Sequence, residues 1–214
     1  LHDTGSARGE VDVSIQGSTY LGAFLTITAW AGLPAESSAQ PAGPGVLVIL
    51  QNDAGVPAEV AAIAQAEVDR LYGLIDVEIG WVTRMPESAR RVRVVSLVKW
   101  EPADASVSAS VLGHTPVDHE GRGYRAYVFW RRVERTSQKF AASLNNVLAI
   151  AIAHELGHTL LGKRSHATRG LMEAHWNSAH FRSASAGLLH FASETAALIR
   201  REVNAEITVA QRVR

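Results

Sequence analysis

The segment LNNVLAIAIAHELGHTLL, residues 144–161, constrains this chain more than any other. Its period is helical, but it is apolar nearly all round, so it must lie in the middle of a folded domain and not on its surface. Into that apolar run the chain inserts His154, Glu155 and His158. Three ionisable groups in a core helix are costly unless they are paired or bind a metal. Ser143 is placed to cap the helix, and Gly162 to end it.

The spacing of the three residues suggests what they do. His154 and His158 are four apart, so both imidazoles project from one face and can converge on a single ion. Glu155 lies one step round, where a carboxylate can take a proton from a water molecule as that water attacks a carbonyl. HExxH is a short pattern that also arises by chance, and it gains weight here from the apolar helix around it. The chain has no Cys, which excludes disulfides, thiolate nucleophiles and thiolate ligands, so a metal must be held by His, Asp or Glu. A hydrolytic zinc site needs a third protein ligand. His166 is the leading candidate, because Gly162 lets the chain turn back sharply; Glu173, His175 and His180 compete with it.

The rest of the chain supplies a scaffold of mixed type. Residues 35–45, AESSAQPAGPG, read as a linker, so 1–45 is an N-terminal segment and 46–214 a single catalytic domain. Strands are expected at 46–50, 77–82, 91–98 and 124–130, with an irregular edge strand at 110–114. A helix over 56–75 presents Val60, Ile63, Ala64, Val68 and Leu71 on one face, and a last amphipathic helix covers 194–203. Phe129, Trp130 and Trp176 read as core or cleft-wall aromatics.

Residues 20–33, YLGAFLTITAWAGL, are uncharged and too short to span a bilayer, and Ser37, Ser38 and Ala39 offer a cleavage site. They read as a secretory signal, implying export to the cell envelope or beyond without stable membrane insertion. Otherwise they are buried structure in a cytoplasmic protein. With 21 basic and 21 acidic residues and no cationic stripe, nucleic acid is not an expected partner.

From His154 onward the sequence resembles the metzincin clan of zinc peptidases, whose signature HExxHxxGxxH precedes a turn containing methionine. Here the pattern is HExxHxxxGxxxH, followed by Gly170, Leu171 and Met172. The stretch HELGHTLLGKRSHATRGLMEAHW, 154–176, also resembles a group of uncharacterised bacterial peptidase-like sequences reading HExGHLLLGxxxHSxxGIMxxxW. The resemblance implies an α+β zincin fold: a twisted mixed sheet, a backing helix, a central active-site helix and a C-terminal helix. It implies Zn²⁺ held by His154, His158 and His166, with Glu155 as general base and Met172 as a packing base beneath the imidazoles. VLGHTPVD, 111–118, is similar to the edge strand that pairs with an extended substrate, where Leu112 and Gly113 would offer backbone groups. Some clan members carry a Tyr two residues after the Met, where this chain has Ala174, so no oxyanion-stabilising residue is assigned; His175 is one candidate. His114 matches a structural-zinc ligand of some relatives, but without evident partners it reads with Asp118 and His119 as solvated loop. The implied activity is that of an endopeptidase acting on peptide or protein. A metal-dependent amidase acting on a non-protein substrate and a non-catalytic zinc module are the alternatives.

Overall fold

A computed structural model describes residues 45–86, 92–101, 110–162 and 165–211. The 20–33 segment, the 37–39 site and the 35–44 part of the linker lie outside these residues. Among the described residues no helix is long and apolar enough to cross a membrane.

Five strands form one sheet in the order β2-β1-β3-β5-β4: β1 (Val46–Asn52), β2 (Ile79–Trp81), β3 (Val92–Val98), β4 (Gly113–His114) and β5 (Arg125–Phe129). The first four neighbours in that order run parallel, and β4 is antiparallel to β5, pairing Gly113 with Val128 and His114 with Tyr127. The sheet is therefore mixed. β3 is buried at six of its seven positions, as expected of a β-branched strand in the middle of a parallel sheet covered on both faces. The edge strand expected at 110–114 is shorter, extending over Gly113 and His114.

Helix α1 (Ala58–Gly73) backs the sheet and packs on α3 (Leu144–Leu161), the central helix, whose ends match the sequence expectation. α1 buries Ala61, Ala64, Val68, Leu71 and Tyr72, whereas Ile63 is exposed. The inward face is rotated from the expected one because two alanines, and not the bulkier Ile63, allow close approach to α3. Tyr72 seals the contact by donating its hydroxyl to the carbonyl of Ala153 at 3.0 Å. Residues 147–157 of α3 are all buried, since β3, β4, β5 and four helices surround it. Ser143 occupies the N-cap position, but its side chain makes no capping bond; its carbonyl starts the helix by accepting from Val147 N–H.

Two helices were not expected from the sequence. α2 (Trp130–Phe140) follows β5 with no intervening residue, and its polar composition, WRRVERTSQKF, hides an inward face of Trp130, Arg132 and Val133. α4 (Ser178–Ser185) is held by a capping box in which Asn177 accepts from Ala179 N–H, and His180 Nδ1 accepts from Asn177 N–H. The C-terminal helix α5 (Ser193–Gln211) runs well beyond its expected end.

Candidate active site

The site is built on α3, on the loop that leaves it and on a turn that returns beneath it. His154 and His158 project from one face, and the loop after Gly162 brings His166 to them, so that one ligand atom from each lies within 4.8 Å of the others. Among the described residues this is the only such group of His, Cys, Asp or Glu. Gly162 has φ 72°, and a Cβ there would run into the carbonyl of Gly121. Only glycine allows the chain to leave the helix in this direction.

The protons on the two helical imidazoles are fixed by their neighbours. His154 Nδ1 faces the carbonyl of Leu171 at 2.8 Å; a carbonyl only accepts, so Nδ1 carries the hydrogen and Nε2 is bare. His158 Nδ1 lies 2.6 Å from Ser165 Oγ, whose own hydrogen goes to the Gly162 carbonyl at 2.7 Å. The hydroxyl therefore accepts from Nδ1–H, and Nε2 of His158 is bare as well. These two bare nitrogens face each other 3.0 Å apart. Two lone pairs at that distance repel unless a cation stands between them. Two imidazoles bound to one tetrahedral zinc have their nitrogens about 3.4 Å apart, so the donor set fits such an ion. Burial pushes His154 down to about 4 and His158 to about 3, and His166 is lowered by burial and by His175. All three imidazoles are therefore neutral at neutral pH, the form in which an imidazole can bind a metal.

Glu155 is buried beside the pair, and burial raises its carboxyl to about 8 despite a hydrogen bond from Thr115. Thr115 Oγ1 donates to Glu155 Oε2 at 2.7 Å. A Cβ at Gly113 would come within 2.7 Å of Glu155 Oε1 and 2.5 Å of its Cγ, so the edge strand crosses directly over the carboxylate and must carry glycine there. Leu112 does not play its expected part. Its carbonyl accepts from Phe129 N–H at 2.9 Å, which commits it to the sheet. By the alternation of an antiparallel pair, the backbone groups of Gly113 face away from β5, toward an edge that no strand pairs among the described residues.

The methionine turn forms at Gly170–Glu173, where Glu173 N–H donates to the Gly170 carbonyl at 3.1 Å and Gly170 has φ 80°. Met172 is buried under α3, and a Cβ at Gly157 would stand 2.7 Å from its sulfur. Met172 thus packs against α3 at Gly157, which lies between the two histidines in sequence. Glu173 is turned away from the imidazoles: its Oε1 accepts from Gly170 N–H at 2.9 Å and from His180 Nε2 at 3.0 Å. Neither Glu173 nor His180 joins the histidine group. His175 lines the same cleft, as do His114 and Trp176, whose ring meets His154 edge-on with centroids 5.1 Å apart. Asp118 accepts from the N–H groups of Glu120 and Arg122, and His119 is exposed. Phe129 and Trp130 are core.

Thr115, Ser165 and the Leu171 carbonyl were not foreseen. Each orients a candidate catalytic side chain, yet a hydroxyl or a carbonyl on a loop carries no sequence signal of its own. The whole opens into a cleft of about 1030 Å³.

The fold is metzincin-like, with a mixed sheet above, a central helix carrying the histidines, and a turn containing Met172 below. Among solved structures the chain is similar to archaemetzincin from Methanopyrus kandleri, with a TM-score of 0.51 and 16% identity over 77% of this chain and 99% of that one. No family model matches the chain, and no curated protein matches it in sequence.

Proposed function

We propose that the chain is a zinc-dependent endopeptidase in which His154, His158 and His166 hold the ion and Glu155 is the general base. The observation that carries this reading is a buried carboxylate placed beside two bare, facing imidazole nitrogens and under an open strand edge. Zinc held there supplies Lewis acidity toward a substrate carbonyl. An extended peptide adds to the outer edge of β4 through the backbone of Gly113. Thr115 ties down Oε2 of Glu155, which leaves Oε1, the oxygen nearest Gly113, to take a proton from the attacking water and pass it to the departing amine. Burial strengthens the hold of the carboxylate on a proton once it is taken, which suits its delivery to the departing amine. A metal-dependent amidase would use the same groups; the open strand edge favours the peptide.

The test is digestion of a mixed peptide library by the wild type and by Glu155→Gln, each loaded with zinc. Wild-type cleavage should fall by about 10² or more in the variant, with zinc content unchanged. Cleavage should stop on chelation and return with zinc. Equal rates would remove Glu155 from the chemistry, and no cleavage at full zinc occupancy would favour the amidase or a metal module without turnover.

A further inference from the structure

The cleft has a second wall that plays no part in binding metal or activating water. One face of α2 supplies it, through Arg132, Arg135, Thr136 and Lys139, which lie at helical spacing and border the same cavity as the histidines. The two arginines share one anion: Arg132 Nε and Arg135 Nη2 reach the two oxygens of Glu101 at 3.0 and 2.7 Å. Arg132 is buried and also donates to the Val111 carbonyl at 2.8 Å, so it braces the approach to the edge strand. Lys139 is exposed, and among the described residues it has no ion-pair partner; its Nζ lies over the ring of Phe140, 5.1 Å from the centroid. Glu101 is shared by Arg132 and Arg135, and Lys139 adds a cation that no acid among the described residues pairs.

A run of aromatic rings joins that charge to the histidines. Phe140 stacks on Phe181 at 4.7 Å, Phe181 meets Trp176 edge-on at 6.2 Å, and Trp176 meets His154 edge-on at 5.1 Å. Along the cleft, a run of aromatic rings thus leads from the imidazole nitrogens to the Lys139 ammonium. An exposed ammonium at the rim of a cleft attracts an anionic group of a ligand lying in that cleft more than a neutral or cationic one.

We infer that the α2 wall, through Lys139 with Arg135 beside it, binds a substrate carboxylate a few residues from the scissile bond, so that the preferred substrates are acidic peptides. The inference rests on the peptidase reading for its substrate class. The carboxylate can come from a Glu or Asp side chain or from the end of the peptide chain.

The experiment uses one fluorescent, otherwise neutral host peptide. Glu, Gln or Lys is placed at each position in turn, and the C-terminus is either free or amidated. Both kcat/KM with the zinc-loaded wild type and Kd for zinc-loaded Glu155→Gln are measured. At one position Glu should exceed Gln by about three- to about tenfold, with Lys lowest. Lys139→Glu should invert that order, and Lys139→Gln should flatten it. A preference for the free C-terminus alone would assign the carboxylate to the chain end. Indifference to Glu, Gln, Lys and terminus in both measurements would overturn the inference. Selective binding without any cleavage would support it while defeating the peptidase reading.

Discussion

His154 and His158 lie one helical turn apart, but the chain holds them by opposite means. His154 is buried, and its Nδ1–H is held by the backbone carbonyl of Leu171 in a turn packed against α3. His158 is half-buried, and its Nδ1–H is held by the Ser165 hydroxyl on the loop after Gly162. The first arrangement is secured by core packing, the second by a short chain of hydrogen bonds. A fault on the first side should therefore cost stability and metal affinity together, and a fault on the second should cost affinity alone.

Gly157→Ala should have the largest effect. Alanine improves helix propensity by up to about 1 kcal/mol, but its Cβ would stand 2.7 Å from Met172 Sδ and 3.1 Å from Cε, with Phe191 behind at 3.8 Å. The Met172 side chain must give way, and because it is fully buried the strain passes to the turn that holds the Leu171 carbonyl. Overpacking of this kind costs about 1–3 kcal/mol. Chemical denaturation of the zinc-free variant should show that loss, and competition with a chelator should show weaker zinc binding. Wild-type values in both would mean that the turn is not packed as tightly as the geometry indicates.

The same contrast explains what could be read from the sequence. The extent of α3, the histidine pair and the return to His166 were legible because each rests on periodicity, spacing or a glycine required at one position, whereas Met172 was singled out by the resemblance to metzincins. α2 was not legible, because its inward face is three residues in a strongly cationic segment that follows a strand without a turn signal. The inward face of α1 was misjudged at Ile63, where close approach of alanines to α3 outweighed hydrophobicity. Leu112 was assigned an outward backbone that pairing with Phe129 turns inward, since a strand pattern fixes alternation but not which residues bond to the neighbour. The loop partners Thr115 and Ser165 become visible only when the fold brings them to Glu155 and His158.

Ser165→Ala isolates the other side of the comparison. It removes the acceptor for His158 Nδ1–H and leaves the core untouched. Zinc affinity should fall by about ten- to a hundredfold, the usual result of deleting a group that orients a metal-binding histidine. Unfolding of the zinc-free protein should stay within about 0.5 kcal/mol of wild type, as for other changes away from the core. Equal losses from Ser165→Ala and Gly157→Ala in both measurements would erase the distinction between the two sides.

Met172→Leu should have the smallest effect, and it asks whether the turn acts through the sulfur or through the carbonyl one residue earlier. Met172 is buried against Gly157, and leucine nearly conserves its volume, so the exchange should cost less than about 1.5 kcal/mol. The bond that orients His154 comes from Leu171, which the exchange leaves in place. Zinc affinity should therefore match the wild type even where a small loss of stability is measured. A tenfold loss of affinity at nearly unchanged stability would instead make the thioether itself part of what holds the imidazoles, and the turn would then act by more than packing and one carbonyl.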